Sequence, residues 1–385
     1  MLSEVPEGWN RMKFIEFVLL KRGYDLPVAQ RVAGCVPVVA SNGQVGWHNQ
    51  AKVKAPVVVT GRSGTIGKVE LYETDCHPLN TTLYSQSLNG NDPWFAKYFL
   101  EHFQMERFST GTGVPTLNRN YVHEADISVP PPPEQKRIAK ILSSVDESIQ
   151  TTQSVIDQAE RVKRGLMEDL LTGGLGSEAI ARGEVPEGWE KATLCDLFLI
   201  KSSKRVLRSQ WRKSGVPFYR GREISALAKD GSVDNELFID ECLYKELSQK
   251  HGTPSVGDIL VTAIGTIGNA YLVREDQRFY FKDASVLWLE NFGEAVADFI
   301  IYWFQSSLFM SQLDVGNGTT VDSLTISSLK SCGLSLPPLP EQKRIAEILS
   351  SVDAFIQSQK QIIDQYQVTK KGLMDDLLTG RVRTV

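Results

Sequence analysis

The chain repeats itself, and that duplication restricts its architecture more than any other feature. Val5-Pro6-Glu7-Gly8-Trp9 returns as Val185-Pro186-Glu187-Gly188-Trp189, and Gly64-Thr65-Ile66-Gly67 returns as Gly265-Thr266-Ile267-Gly268. Residues 134–150 return as 341–357 with 14 of 17 identical, and residues 165–173 return as 372–380 with 8 of 9 identical. The offset grows from 180 to 201 to 207, so the second copy holds extra residues early in its globular part.

Each copy reads as a globular block and then one long helix. The blocks mix short β-rich runs, such as residues 55–60 and 258–262, with Gly/Asn/Ser turns and with apolar helical stretches at 93–108 and 295–313. That mixture predicts an α/β (α+β) fold. Each long helix opens after a proline cluster, residues 130–133 in one copy and Pro337, Pro338 and Pro340 in the other. Proline suits a helix start and not a helix interior. Gly173 and Gly380 suit the left-handed position that ends a helix. About 38 residues rising 1.5 Å each give a rod of roughly 57 Å.

Along the rods, Ile138, Leu142, Val145, Ile149, Thr152, Ile156 and Ala159 keep 4-3 spacing. Ile345, Leu349, Val352, Ile356, Gln359, Ile363 and Tyr366 keep the same spacing. In the first rod the stripe then shifts to Val155, Val162, Leu166 and Leu170. A stripe this narrow suits helix-on-helix pairing more than a broad core face. The expectation is two globular domains separated by two long antiparallel coiled-coil helices and related by a pseudo-two-fold axis. The other reading packs each helix back on its own block. The expected bounds are 1–133 and 174–340 for the globular domains, 134–173 and 341–380 for the spacer helices, and 381–385 for a tail.

The 385 residues carry a formal net charge of −4, so nucleic-acid affinity would have to come from local patches. The five cysteines and five histidines show no ligand spacing, which predicts reduced thiols and no metal site. No apolar run of 18 residues and no secretory pattern is visible, and the expected location is cytoplasmic. Residues 61–68, Gly-Arg-Ser-Gly-Thr-Ile-Gly-Lys, fail as a P-loop: the spacing is wrong, Val69 stands where Ser or Thr would ligate Mg²⁺, and Asn269 replaces the lysine in the second copy. The better reading is a tight turn, with Arg62 and Lys68 either facing DNA or merely solvated.

The helices are almost identical at their two ends while the blocks match only at short motifs. Shared parts suit packing and docking, and diverged parts suit two different reading tasks. Residues 201–222 are free of acid and hold Lys204, Arg205, Arg208, Arg212, Lys213, Arg220 and Arg222, with Tyr219 among them. These are candidate DNA contacts, Arg220 and Arg222 being candidate guanine forks. Asn42, Gln44, His48 and Asn49 form a polar, glycine-punctuated loop that could read adenine or be an ordinary turn. Thr112, Thr319 and Thr320 sit in small-residue loops suited to phosphate contact or to capping. Trp9 and Trp189 read as core anchors.

The motifs 131–139 (Pro-Pro-Pro-Glu-Gln-Lys-Arg-Ile-Ala) and 337–346 (Pro-Pro-Leu-Pro-Glu-Gln-Lys-Arg-Ile-Ala) carry a resemblance. So do the doubled Gly-Leu-Met-(Glu/Asp)-Asp-Leu-Leu-Thr-Gly segments, Val-Pro-Glu-Gly-Trp openings and Gly-Thr-Ile-Gly turns. Over nearly its whole length the chain resembles the specificity (S) subunits of type I restriction-modification systems. The resemblance implies two target-recognition domains, each reading half of an asymmetric bipartite DNA site, with helices that fix the gap. It implies two methyltransferase (M) subunits and restriction/translocase (R) subunits as partners. It implies a non-catalytic chain, with S-adenosylmethionine, ATP and Mg²⁺ bound by those partners. The alternatives are a coiled-coil scaffold for proteins and an enzyme using the glycine loops for nucleotides.

Overall fold

The computed structural model describes residues 5–110, 115–313 and 323–384. They divide into two compact units, residues 1–155 with 359–385 and residues 156–358.

In the first unit, β2 (Leu19–Arg22), β8 (Thr82–Ser87), β5 (Val57–Gly61) and β6 (Val69–Tyr72) lie in that order in an antiparallel sheet. A second sheet places β3 (Val36–Ala40) between β4 (Gly43–His48) and β7 (His77–Pro78), the β3–β7 pairing being parallel. β1 (Asn10–Lys13) pairs with β11 (Asp126–Val129), and β9 (Ser109–Thr110) with β10 (Thr116–Leu117). The central strand β5 is buried on both faces, as strand alternation allows. Val58 packs with Phe95 and Phe99 of the helix Pro93–His102, whereas Val57 and Val59 pack with Val39 and Tyr84.

The second unit repeats this plan. β13 (Phe198–Ser202), β19 (Val286–Asn291), β16 (Ile259–Thr262) and β17 (Ala270–Leu272) form the four-stranded sheet. β14 (Val216–Tyr219) lies between β15 (Phe238–Ile239) and β18 (Tyr280–Phe281), again with one parallel pairing, to β18. β12 (Glu190–Thr193) pairs with β20 (Gly333–Leu336). The extra residues of this copy form two helices, Gly221–Asp230 and Glu241–His251, between β14 and β16.

The long helices run Pro132–Leu171 and Leu339–Leu377, against expected spans of 134–173 and 341–380. They start earlier because proline has no backbone N–H, and a first-turn residue needs none, having no carbonyl one turn back to bond. They stop earlier because the chain turns left-handed at Gly173 (φ 56°) and Gly380 (φ 74°). A Cβ at Gly173 would meet Pro186, and one at Gly380 would meet Pro6. Each helix end is thus seated on a Val-Pro-Glu-Gly-Trp opening, whose tryptophans, Trp9 and Trp189, are buried.

Each unit's core takes the start of one long helix and the end of the other. Ile138 and Leu142 share the first unit's core with Met374, Leu377 and Leu378. Ile345 and Leu349 share the second unit's core with Leu171. In the first unit Asp146 meets Lys370 while Glu134 meets Arg383, so these segments run antiparallel. The seam positions Ile156, Ile356 and Ile363 are buried, but Val155 and Val162 are exposed. The stripe therefore does not shift onto those two valines.

Candidate nucleic-acid interface

Two equivalent polar clusters hold the helices to the blocks. Tyr98 Oη donates to Asp146 at 2.7 Å, and Lys370 Nζ lies 2.9 Å from the same carboxylate. In the second unit Tyr302 Oη donates to Asp353 at 2.9 Å, and Lys163 Nζ lies at 2.7 Å. Asp146 with Asp353, and Lys163 with Lys370, are repeat equivalents at the offset of 207. Burial alone would raise the Asp146 carboxyl, but hydrogen bonds from Lys370 and Tyr98 bring it below its usual value. Gln135 and Gln342, both buried, accept from the backbone N–H of Asp92 and Val296 and donate to the carbonyls of Pro130 and Pro337. These shared residues are spent on architecture.

The candidate contacts of the first unit fall into separate groups. Asn42 and Lys68 come together: Lys68 Nζ donates to the Asn42 carbonyl at 2.7 Å and pairs with Glu70 at 2.7 Å. Gln44 is exposed at the mouth of an open cleft of about 710 Å³ beside Tyr72 and Trp94. Asn49 is exposed at the far end of β4, and Arg62 is half-buried where β5 ends. Gly64 and Gly67 adopt φ of 86° and 90°, and Gly265 and Gly268 do the same at 83° and 87°, as a tight turn needs. The expectation for His48 is corrected. Its ring is buried 5.5 Å from that of His77, and Nδ1 accepts the Val32 N–H at 3.1 Å, so it braces a loop from beneath.

In the second unit Lys204, Arg205, Arg208, Arg212 and Lys213 are all exposed on the connection from β13 to β14. Arg208 lies 5.8 Å from the Trp211 ring, and Arg212 reaches Asp240 at 3.3 Å. Two expectations change here. Tyr219 is buried in the core against Phe279, because it follows Phe218 in an interior strand. Arg220 and Arg222 are already engaged: both reach the wholly buried carboxylate of Glu223, and Arg222 also pairs with Glu236 at 2.9 Å. A buried charge is stable only when paired, and Arg220 makes a two-pronged bond to it at 2.6 and 3.0 Å. Burial pushes the Glu223 carboxyl up, and Arg220 more than reverses that. Thr112, Thr319 and Thr320 lie outside the described residues.

Sequence reasoning did not select the exposed apolar side chains Val28, Val32, Val45 and Trp47 of the first unit or Leu207 of the second. The usable signal was alignment at the offset of 180, which sets Val28 opposite Arg208 and Arg31 opposite Trp211. Among the described residues no group of three His, Cys, Asp or Glu is placed to hold a metal ion. Nor is any helix among them long and apolar enough to cross a membrane.

Comparison with known proteins accounts for the doubled plan. The family model described as "Type I restriction modification DNA specificity domain" matches twice, at residues 6–161 and 186–367. A putative type I restriction enzyme specificity subunit (MjaX) of Methanocaldococcus jannaschii is 28% identical over 83% of this chain and 76% of its own length. The MjaVIII specificity subunit of the same organism is 29% identical over 71% of this chain and 66% of its own length. The crystal structure of a type I S subunit from M. genitalium superposes with a TM-score of 0.60 at 16% identity, covering 98% of this chain and 97% of that one. A chain from a study of type I system assembly and conformational transition gives 0.57 at 15% identity, over 99% and 100%. With one family-model match on each copy of the repeat, the chain belongs to the type I restriction-modification DNA specificity family.

Proposed function

We propose that this chain reads DNA for a type I restriction-modification complex, each globular domain recognising one half of an asymmetric, interrupted target. The observation that carries this is one strand order built twice with different surfaces: four strands, then three with one parallel pairing, then a closing pair. A shared scaffold with diverged exposed residues is what two readers of different sequences need. The domains are 1–133 and 174–340, and the long helices between and after them set the gap. The exposed residues of the repeated helix-start motifs, Lys136 and Arg137 in one copy and Lys343 and Arg344 in the other, offer two equivalent docking places for two M subunits, with R subunits joining that assembly. The chain itself is non-catalytic, and S-adenosylmethionine, ATP and Mg²⁺ belong to its partners. Such a complex works on DNA in the cytoplasm.

Modest net charge fits this reading if the partners supply part of the phosphate contact. Adenine-methylation mapping of cells with and without the gene tests it. An interrupted motif that disappears with the gene is expected. Its absence while the M subunits are active overturns the reading.

A further inference from the structure

One diverged exposed feature lies at the same scaffold position in both units. The connection from β2 to β3 contains a one-turn 3-10 helix, Val28–Gln30, and the connection from β13 to β14 contains Arg208–Gln210. Their backbones match: Gln30 and Gln210 donate to Pro27 and Leu207 at 2.9 Å, and Arg31 and Trp211 donate to Val28 and Arg208. The flanking dihedrals match as well, with Arg31 at φ −75°, ψ 123° and Trp211 at φ −72°, ψ 143°. At this position each unit carries a buried N–H with no partner, Nε of Arg31 and Nε1 of Trp211.

The side chains on the two loops differ in kind, although Leu207 leaves one exposed apolar group on the second. The first loop exposes Val28 at 75% and Val32 at 54%. The neighbouring strand β4 adds Trp47 at 55% and is tied to the loop by Arg31 to the Val45 carbonyl and by His48 to the Val32 N–H. The second loop exposes Lys204, Arg205, Arg208 and Lys213, none in an ion pair among the described residues. Solvated valines and an indole gain nothing in water, and four unneutralised cations repel one another. Both surfaces gain from DNA. Apolar groups pack on the thymine methyl, an arginine fork matches the guanine O6/N7 edge, and lysines meet phosphates.

Resting on the DNA-reading function above, we propose that residues 25–33, with Trp47 of the neighbouring strand, and residues 204–213 are the specificity-determining surfaces. The first, through Val28, Val32 and Trp47, takes thymine methyl groups in one half-site. The second, through Arg208 backed by the Trp211 ring, takes a guanine in the other, while Lys204, Arg205 and Lys213 hold phosphates. His48 is a positioning residue for the first loop.

The test uses the full chain assembled with its M subunits, acting on a DNA library with randomised sites and read by methylation sequencing. The wild-type complex must first yield a chain-dependent interrupted motif. Failure at that stage overturns the DNA-reading function itself. Val28→Ser, at a site too exposed to affect folding, and Trp47→Ala are expected to weaken a thymine preference about tenfold in one half-site and leave the other half unchanged. Arg208→Ala is expected to relax a guanine preference about tenfold in the opposite half. Arg208→Lys should retain affinity without restoring discrimination, since an ammonium cannot make the two-pronged bond. Uniform loss of methylation with an unchanged motif would mark the loops as protein-docking surfaces and overturn the assignment. So would no change at all, or relaxation spread over both halves.

Discussion

The pair Asp146–Lys370 sets the antiparallel register in the first unit, and its removal should be measurable. Lys370 is 16% and Asp146 22% exposed, so the pair sits mostly out of water. Lys370→Met removes a 2.9 Å contact but leaves Asp146 with Tyr98 at 2.7 Å and Lys97 at 3.4 Å. The carboxylate is not orphaned, so the cost should be about 2 kcal/mol, below the 3–5 of a fully stranded buried charge. Asp146→Ala leaves Lys370 only Glu101, at 3.6 Å, and the Tyr98 hydroxyl without its acceptor, and should cost about 3 kcal/mol. In the double variant no unpaired charge remains, so its cost should fall short of the sum by about 1–2 kcal/mol. Two units make a single unfolding free energy ill-defined. Amide hydrogen exchange over 132–155 and 359–377 reports the local opening instead. Strict additivity, or a loss under about 0.5 kcal/mol for either single variant, would refute the claim that this pair holds the register.

Three further outcomes follow from the geometry. Glu223→Leu leaves Arg220 without its main acceptor and should destabilise the second unit by about 3 kcal/mol, read as faster exchange at 216–230 with the first unit unchanged. Gly173→Ala puts a Cβ against Pro186 at a left-handed residue and should cost about 1–3 kcal/mol, whereas Gly165→Ala, with open space around it, should be neutral or stabilising. Acid should loosen the first unit before the second. Burial holds His77 and His123 below the usual histidine range, with His48, Lys52 and Arg31 facing His77 and adding to its shift. A depressed histidine favours the folded state while neutral, and that stability declines as pH falls through the ordinary value near 6.5, by up to about 1.4 kcal/mol per pH unit and site. With the intrinsic slowing of amide exchange in acid divided out, opening at about pH 5.5 relative to about pH 7.5 should increase in the first unit, which holds both of these buried histidines.

The architecture was legible because it rests on signals that survive without tertiary context. Duplicated motifs, prolines that admit a helix start and glycines that end one made both long helices readable to within three residues at each end. The placement of Val155 and Val162 was not legible, since spacing names a stripe and not the surface that covers it. The contact residues were harder still. Tyr219 looked like part of a basic tract, but its strand is covered on both faces, Phe218 packing into one cluster and Tyr219 into another. Arg220 looked free until Glu223, three residues on, folded under it at the helix start. That spacing, a basic residue three before an acid at a helix start, is present in the sequence. The exposed valines around Trp47 had no sequence signal of their own. Only the match at an offset of 180 would have set them against the basic loop.

The central claim is that two independent readers share one scaffold, and exchanging one of them tests it most directly. Residues 174–337 would be replaced by the corresponding segment of another family member, and the methylated motif of the reconstituted complex would be sequenced. One half-site should change while the other half and the gap stay as they were. Simultaneous change of both halves would contradict the account.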